Sequence, residues 1–247
     1  MACWKGGRVK QISLFHGVEH SCSYLPDLMS RSAYVDPRLP LDLPTYSNLA
    51  EQGFRRSGDL VYRPNCRHCA ACLPIRLPVI QFSPNRSQLR NLRNNADLVV
   101  TPKPAAYDEE HYQLFLRYLA FRHGDGDMAS SSPDDYIGFL GSDWSDTWFV
   151  EFRLHEQLLS VAVVDRLEFG LSAVYTFFDP AYGERGLGTL AVLWQIEKAI
   201  GLGLDWLYLG FWIEACRKMN YKANFRPLQA LIEGEWRSFE KGEKIGM

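Results

Sequence analysis

Three cysteines stand at every third position of one short run, and they are the residues best suited to bind a metal. Cys66, Cys69 and Cys72 have the spacing of ligands in zinc and iron–sulfur sites. A complete site needs a fourth ligand from elsewhere, for which Cys22 is the first choice and His68 or His20 the second. The spacing leaves three interpretations open: an iron–sulfur cluster, a zinc ion, or thiols without a metal.

Two groups of polar side chains, mostly basic, have patterns suited to phosphate binding. The first group lies at positions i, i+4 and i+7 of a predicted helix and consists of Arg86, Arg90 and Arg93. The second group lies in a polar loop after an apolar strand and consists of Lys218, Tyr221 and Lys222. Ligands of open α/β sheets bind beyond the carboxyl ends of strands, which favours phosphate contacts for this loop. A solvated surface is the alternative for both groups.

A glycine turn between a predicted strand and a predicted helix is a third candidate site. The turn Arg185–Leu190 approaches the signature of the GCN5-related acetyltransferase core, in which backbone N–H groups and a helix N-terminus hold a phosphate. Leu190 occupies the last small position of that signature, which weakens the case for a coenzyme A site. A tight strand-to-helix connection without a ligand is the alternative, because a lone Gly-x-Gly turn is a weak signal.

The elements that must position these residues differ between two parts of the chain. Prolines scattered over residues 20–44 exclude long helices there, so residues 1–104 are predicted to form an irregular α+β domain. Its predicted elements are a helix at 45–53, a hairpin with strands at 54–56 and 60–63, a strand at 73–82, a helix at 83–94 and a linker marked by Pro102 and Pro104. Residues 105–247 are predicted to form a second domain with helices starting at Asp108 and Ser132, strands at 147–154, 158–167 and 170–179, the glycine turn with its helix, and strands at 206–213 and 229–239.

The composition predicts an ordinary globular protein with one basic part. Of the 247 residues, 47% are hydrophobic and 23% are charged. The sequence contains no run of about 18 apolar residues, so we expect no membrane span. The first ten residues lack the apolar segment of a secretory signal, so we expect a cytoplasmic protein with reduced thiols. The formal net charge is −2, but residues 1–104 carry 14 Lys and Arg against 7 Asp and Glu. This asymmetry favours a polyanion-binding surface in the first part.

Long stretches of the chain resemble the bacterial aspartate/glutamate leucyltransferases, relatives of the eukaryotic arginyl-tRNA–protein transferases. The matching segments are Cys22–Asp27, Gly53–Gly58, Tyr62–Cys72, Arg122–Met128, Gly170–Pro180, Leu187–Glu197 and Tyr208–Pro227. The resemblance implies an N-terminal cysteine-bearing α+β domain over residues 1–104 and a GCN5-related acetyltransferase-like core over residues 105–247. It also implies transfer of leucine from leucyl-tRNA to proteins that begin with Asp or Glu, which creates an N-degron for protein degradation.

The resemblance also suggests roles for particular residues. Because an arginine fork suits a carboxylate, we expect Arg55 or Arg56, which face opposite sides of a strand, to bind the acidic first residue. The expected leucine pocket consists of Phe177, Phe178, Phe211 and Trp212. The tRNA is expected to contact the helical arginines and the loop after the apolar strand, that is Arg86, Arg90, Arg93, Lys218, Tyr221 and Lys222. Asp179 and Glu184, near the glycine turn, are the candidates for a carboxylate that orients or deprotonates the amine.

The implied reaction needs no cofactor. Aminoacyl-tRNA is an activated ester, and an α-amine with a pKa of about 7.7–8.0 is partly neutral at physiological pH, so alignment and oxyanion stabilisation suffice for the chemistry. Related arginyltransferases bind an iron–sulfur cluster through N-terminal cysteines, and Cys22 matches part of that set, although Leu25 breaks its Cys-x2-Cys pair. A cluster or a zinc ion on Cys22, Cys66, Cys69 and Cys72 would therefore be structural or regulatory.

Other functions stay open at this stage. The glycine turn allows an acetyltransferase that uses acetyl coenzyme A, and the basic cysteine-bearing part allows a metal-stabilised RNA-binding module without enzymatic activity. Arginine could also replace leucine as the donor residue, because the sequence does not show the shape of the pocket. In the segment after Arg122, His123 is interpreted as a residue at a helix C-terminus in preference to a catalytic base. Asp125 and Asp127 are interpreted as part of a turn in preference to a cation site.

Overall fold

The computed structural model describes residues 12–122 and 131–246, and the candidates His123, Asp125 and Asp127 lie outside these ranges. The strands are β1 (Leu14–His16), β2 (His20–Ser21), β3 (Met29–Ser30), β4 (Ser32–Val35), β5 (Arg55–Ser57), β6 (Leu60–Pro64), β7 (Leu73–Pro78), β8 (Leu98–Pro104), β9 (Thr147–Leu154), β10 (Gln157–Arg166), β11 (Gly170–Phe178), β12 (Trp206–Trp212), β13 (Leu228–Ile232) and β14 (Glu235–Phe239). The helices are α1 (Leu43–Glu51), α2 (Arg86–Asn94), α3 (Glu109–Arg122), α4 (Pro133–Leu140), α5 (Leu187–Gly201) and α6 (Arg217–Asn220).

The fold is mixed α/β and is organised around an eight-stranded sheet. The strand order in this sheet is β14-β13-β7-β12-β11-β10-β9-β8. β11 and β12 run parallel, whereas the other neighbouring strands run antiparallel. Parallel strands need a crossover of a dozen or more residues, and α5 supplies it between β11 and β12.

Helices cover both faces of the main sheet, which explains why its central strands are apolar at nearly every position. α5 packs on one face, and α3 with α4 packs on the other. In β10, Ala162 and Val164 belong to the core under α5, whereas Val161 and Val163 belong to the core under α3 and α4. This alternation follows the two-residue period of a strand. Among the described residues, no helix combines the length and apolar character needed to cross a membrane.

A buried ion pair attaches a second, four-stranded sheet, in the order β1-β4-β6-β5, to the main sheet. Arg56 of β5 and Asp165 of β10 have side chains that are 0% exposed, and they approach to 2.6 Å. Asp165 also accepts hydrogen bonds from Tyr46 at 2.9 Å and from Thr147 at 2.7 Å. The remaining Arg56 donors reach the carbonyl oxygens of Leu140 and Gly141, at 2.9 and 3.0 Å. A buried pair with all these hydrogen bonds fixes the β5–β6 hairpin on the main sheet.

The domain boundary predicted at residues 104 and 105 lies within the main sheet. β7 and β8 come from the predicted first domain, yet β7 pairs with β12 and β13, and β8 pairs with β9. Pro102 and Pro104 lie in β8 instead of in the expected linker. β8 is the edge strand, where proline is tolerated because its missing N–H interrupts no ladder.

Another difference from the sequence-based expectation concerns the last strand. The segment predicted as one strand over residues 229–239 is the β13–β14 hairpin. Its turn consists of Glu233 and Gly234, with φ of 53° and 84°. Two positive φ values are typical of the tight turns that match the twist of a two-stranded hairpin.

Candidate active site

A cleft of about 550 Å³ opens where β11 and β12 part. The pairing between these strands runs from Gly170 to Ser172 of β11 and from Trp206 to Tyr208 of β12. Beyond these residues β11 stays paired with β10 and β12 with β7, so the gap between them is free of ladder hydrogen bonds. The cleft lies at the carboxyl ends of two parallel strands, where ligands of open α/β sheets bind.

The glycine turn at the start of α5 lines this cleft. Gly186 has a left-handed conformation with φ of 63°, and a Cβ at this position would lie 2.7 Å from Nδ2 of Asn91. That amide donates to the carbonyl oxygens of Arg185 and Gly186, at 2.8 and 3.2 Å, and Asn95 donates to the oxygen of Arg185 at 2.9 Å. A Cβ at Gly188 would meet no atom within 4 Å. The turn is therefore held from the α2 side and open at Gly188, with the first N–H groups of α5 beside the cleft.

Arg55 lines the cleft from β5 and is held by strands β11 and β12. Its NH2 nitrogen donates to the carbonyl oxygen of Val174 at 2.7 Å. Its guanidinium carbon lies 5.9 Å from the centroid of the Phe211 ring. Gly210 has φ of 72°, and a Cβ there would lie 2.9 Å from NH1 of Arg55. The absent side chain thus lets the guanidinium lie against β12, and its other N–H groups are suited to an anion in the cleft.

Arg56 has no exposed atom to offer a ligand. Its side chain is 0% exposed and belongs to the network with Asp165 that attaches the hairpin. The structure thus separates the two predicted arginines, since neighbouring residues of β5 point to opposite sides. Arg55 is the member of the pair with a place in the cleft.

The loop after β12 brings three of the predicted residues to the cleft, but in different environments. Lys218 and Tyr221 are exposed, whereas the side chain of Lys222 is buried and its Nζ donates to the carbonyl oxygen of Phe211 at 2.7 Å. Burial, together with the nearby charge of Arg55, lowers the pKa of Lys222 to about 7. A buried lysine is poorly placed for the phosphate contact that the sequence suggested.

The charged side chains that line the cleft among the described residues are all basic. They are Arg55, Arg122, Lys218 and Lys222, and Arg56 borders the cleft with a side chain that is fully buried against Asp165. No aspartate or glutamate belongs to this part of the lining. The described part of the cleft therefore attracts anionic groups and contains no carboxylate that could pair with a cationic side chain.

The aromatic residues predicted for a leucine pocket are dispersed. Phe178 lines the cleft and is half-buried. Phe177 is in the core under α3 and α4, and Trp212 is in the core under α5, because alternate strand residues face opposite ways. Phe211 is buried, with Arg55 on one side and, on the other, a second cavity that is lined by cysteines.

Neither carboxylate proposed for catalysis lines the cleft. Asp179 accepts a hydrogen bond from the backbone N–H of Ala181 at 3.0 Å, so it caps the short helical turn at 180–185, and it lies 3.6 Å from Arg117. Glu184 is exposed on that turn. Their positions near the glycine turn in sequence do not bring their side chains to the cleft.

The arginine stripe of α2 is exposed, as the helical spacing predicts. Arg86, Arg90 and Arg93 lie on the solvent side of the helix, and Asn91 lies on the side that holds the glycine turn. Asn85 caps the N-terminus of the helix, because its side-chain oxygen accepts hydrogen bonds from the backbone N–H groups of Ser87 and Gln88. One helix thus carries a basic surface and a contact to the cleft.

Four cysteines line a second cavity, of about 300 Å³, which we call the thiol cavity. They are Cys22, Cys66, Cys69 and Cys72, and His20 also lines it, whereas His68 does not. Burial raises the pKa of Cys72 to about 12, and the negative charges that Cys66, Cys22 and Cys69 would carry act in the same direction. Tyr24 and Tyr62 line both the thiol cavity and the cleft, so the two spaces share a wall.

Another group of possible metal ligands is already satisfied by cations. Ligand atoms of Asp108, His111 and Glu151 lie within 4.8 Å of one another. Glu151 is paired with Lys103 at 2.6 Å and with Arg153 at 2.8 Å. Although burial alone would raise its pKa, hydrogen bonds from Arg153, Lys103 and His111 lower the pKa of Glu151 to about 2. A metal ion here would have to displace side chains that already neutralise the carboxylate.

Four tyrosines in the cleft have no sequence pattern that would predict them as a group. They are Tyr24, Tyr62, Tyr118 and Tyr175. They come from a loop, β6, α3 and β11, and no spacing along the chain relates them. Their hydroxyls can form hydrogen bonds, and their rings offer flat apolar surfaces on which a nucleotide base can stack.

Comparison with known proteins shows the family of this chain. A family model described as arginine-tRNA-protein transferase, C terminus, matches residues 110–232, and its N-terminus counterpart matches residues 20–90. Proteins named aspartate/glutamate leucyltransferase from Pseudomonas putida GB-1 and Pseudomonas aeruginosa LESB58 are each 50% identical over 217 residues, which cover 88% of this chain and 92% of each relative. A protein of the same name from Pseudomonas fluorescens Pf0-1 is 51% identical over the same length.

A solved DUF2156 domain from Agrobacterium fabrum aligns with a TM-score of 0.46 at 12% identity, over 68% of this chain and 51% of that chain. This similarity is too low to carry an argument about fold or function. The identity to the Pseudomonas proteins over nearly their whole length is decisive instead. The chain belongs to the aspartate/glutamate leucyltransferase family of aminoacyl-tRNA–protein transferases.

Proposed function

We propose that this protein transfers the leucyl group of leucyl-tRNA to the α-amine of proteins that begin with Asp or Glu, and that the transfer takes place in the cleft between β11 and β12. The observation that carries the assignment of the site is the convergence of Arg55, Lys218 and the N-terminal turn of α5 on one cleft. The product begins with leucine, which marks the protein for degradation through the N-degron pathway. Charged tRNA and protein substrates both occur in the cytoplasm, where we place the reaction.

Arg55 is our choice for the residue that binds the acidic side chain. A guanidinium group has five N–H donors, and within the described residues Arg55 uses one of them, on Val174. The planar fork fits a carboxylate with two parallel hydrogen bonds. Contacts with Val174, Gly210 and Phe211 fix the fork, so the acidic residue is read at one position of the cleft.

The charges of the cleft favour leucine over arginine as the transferred residue. An arginine side chain would enter a space lined by like charges without a carboxylate among its described residues. A leucine side chain needs apolar contacts, which Phe178, Val192 and Leu209 offer. We therefore propose that these three side chains, and not Phe177, Phe211 or Trp212, form the leucine pocket.

For the tRNA we propose two surfaces. The exposed stripe Arg86, Arg90 and Arg93 is suited to phosphates of the tRNA body. Lys218 and Tyr221, which are exposed at the rim of the cleft, are suited to the charged 3′ end. The basic part of the chain would then face the polyanion.

We further propose that residues forming β8 to β12 and α5 have the core of a GCN5-related acetyltransferase. Antiparallel strands lead to a parallel pair that diverges, and the turn before the crossover helix faces the gap. In such a core the helix N-terminus holds a phosphate. Here we assign that turn to the aminoacyl end of the tRNA instead of coenzyme A, because Leu190 replaces the small residue of the coenzyme signature.

The thiol cavity is suited to a metal cofactor. Four thiols that line one cavity would repel as anions, and a cluster or metal cation would offset that repulsion. Cys22, Cys66, Cys69 and Cys72 would supply the ligands of an iron–sulfur cluster or a zinc ion, with a structural or regulatory role.

The experiment that tests the proposed function offers a Glu-starting peptide with leucyl-, phenylalanyl- and arginyl-tRNA in parallel. We expect transfer of leucine, and a fall in kcat/KM of about 10- to 100-fold in Arg55→Lys, because a charge-assisted hydrogen bond contributes about 1.5–3 kcal/mol. A matched Gln-starting peptide should react poorly with the unmodified protein and be little affected by the substitution. No leucine transfer by the unmodified protein would refute the function, whereas full activity of Arg55→Lys would refute only the role of Arg55.

A further inference from the structure

Lys222 has surroundings that differ from those of the exposed lysine on the same loop. It lines the cleft, yet the residue is only 7% exposed. Its Nζ donates to the carbonyl oxygen of Phe211 at 2.7 Å. Lys218, four residues earlier, also lines the cleft but is exposed, as expected for a contact to a phosphate. A buried amine at the wall of a reaction cleft calls for a different role.

Lys222 and Arg55 meet at the same short segment of β12. The guanidinium of Arg55 lies against Gly210 and over the ring of Phe211, and Lys222 binds the backbone oxygen of Phe211. In an N-terminal Asp, the side-chain carboxylate and the α-amine are separated by only three bonds. A residue whose carboxylate is held by Arg55 therefore brings its α-amine to the neighbourhood of Lys222.

The surroundings of Lys222 make its neutral form accessible near pH 7. Burial is the larger cause, and the charge of Arg55 acts in the same direction, so the pKa of Lys222 falls to about 7. The thiols of Cys216 and Cys72 oppose this effect, but they do not reverse it. At neutral pH a substantial fraction of the lysine therefore has a free lone pair.

We propose that Lys222 is a catalytic residue that accepts a proton from the α-ammonium group of the acceptor protein. The proposal rests on the proposed leucyl transfer and deepens it. It gives the reaction a general base that Asp179 and Glu184 do not supply from their positions outside the cleft. Lysine with a lowered pKa is a suitable base for an amine of similar basicity.

Nζ takes one proton from the α-ammonium group, and the freed nitrogen lone pair attacks the leucyl carbonyl carbon, so that the carbonyl π electrons move to the oxygen. When this intermediate collapses, the bond from carbon to the ribose oxygen breaks and its electron pair stays on that oxygen. The ribose oxygen takes the second proton of the attacking nitrogen. The amide and a free ribose hydroxyl result, and Lys222 returns its proton to solvent.

The test compares single-turnover leucine transfer to a Glu-starting peptide by the unmodified protein, Lys222→Ala and Lys222→Arg. Arginine keeps the charge but cannot act as a base, so we expect both variants to lose about 100-fold or more of the rate. Small primary amines should restore Lys222→Ala, and the restored rate should rise with the basicity of the amine. In the unmodified protein the rate should rise with pH through about 7, and in the variants this limb should move toward the α-amine's own pKa of about 7.7–8.0.

Controls separate catalysis from folding. Lys222→Met, which buries an apolar chain of similar length, should keep the melting temperature within a few degrees and lose the same activity as Lys222→Ala. Lys241→Ala, an exposed lysine distant in sequence, should leave the rate unchanged. A Lys222→Arg or Lys222→Met variant within threefold of the unmodified rate would overturn the proposal, as would amine rescue that is independent of basicity. Inactivity of the unmodified protein would instead overturn the proposed function.

Discussion

Arg55 and Arg56 have different partners although they are adjacent. Arg56 is enclosed by Asp165, Thr147 and three backbone carbonyls, while Arg55 reaches the cleft and keeps donors available. The direction of each side chain follows from the alternation of a strand. The position of the Arg55 fork depends on Gly210, whose positive φ and missing Cβ make room for it.

Gly210→Ala should therefore weaken selection for acidic peptides. The added Cβ would lie 2.9 Å from NH1 of Arg55 and push the fork away from β12. Losing a charge-assisted hydrogen bond of about 1.5–3 kcal/mol corresponds to a rise in KM for Asp- and Glu-starting peptides of roughly 10- to 100-fold. Steady-state transfer assays with these peptides measure this change.

Gly203→Ala is the matched control for this substitution. Gly203 has φ of 68°, close to that of Gly210, but a Cβ there would meet no atom within 4 Å. Both variants should lose about 1–2 kcal/mol of stability from the left-handed backbone, and only Gly210→Ala should change KM. An equal KM in the two variants would contradict the packing of Arg55 on Gly210.

At the scale of elements, α2 connects the basic surface with the turn of α5. Its arginines are exposed, and Asn91 and Asn95 hold the carbonyls that begin the turn. A tRNA bound to the outer face would lie against the same helix that orders the cleft. The capping box at Asn85 fixes the start of this helix.

Replacing Arg86, Arg90 and Arg93 together by alanine should reduce the salt dependence of tRNA binding. Each lost phosphate contact lowers the slope of log K against log salt by about 0.7–0.9, so three contacts lower it by roughly 2–3. Filter binding of leucyl-tRNA at several salt concentrations measures the slope. The control replaces three cations of the C-terminal segment, Arg237, Lys241 and Lys244, and should leave the slope unchanged. Equal slopes for both triple variants would remove α2 from the tRNA surface.

At the scale of the whole molecule, polar contacts of buried arginines join the small sheet and α1 to the main sheet. Besides the Arg56–Asp165 pair, Arg76 of β7 lies between the rings of Trp206 and Trp236, at 3.7 and 4.2 Å from their centroids, and pairs with Glu51 at 2.6 Å. Arg55 reaches the cleft from the small sheet, so the site depends on these joints. The hairpin and the main sheet should therefore unfold together.

Asp165→Asn should lower the free energy of unfolding by about 3–5 kcal/mol, because Arg56 would be left as an uncompensated buried charge. Urea denaturation measures this change. Asp36→Asn is the comparison, since it breaks a pair with Arg38, whose side chain is 80% exposed, and should lower the stability much less than Asp165→Asn does. Similar losses in the two variants would show that the buried pair does not stabilise the joint.

The sequence by itself determined the local elements and the family. Periodicity located β9 to β12 and α5, and the spacing of Arg86, Arg90 and Arg93 predicted one exposed stripe. The resemblance to leucyltransferases, confirmed by relatives at 50% identity, predicted the activity. These features depend on neighbours along the chain, which a sequence displays directly.

Only the tertiary structure decided which of the candidate residues share the cleft. It brought Arg55, Gly186, Lys218 and Lys222 together and placed Arg56, Phe177 and Trp212 in the interior. It also joined β7 and β8 to the second part of the chain, across the boundary that the prolines suggested. Burial and long-range strand pairing depend on residues far apart in sequence, so the direction of a side chain and the charge state of a buried lysine follow from packing and not from spacing.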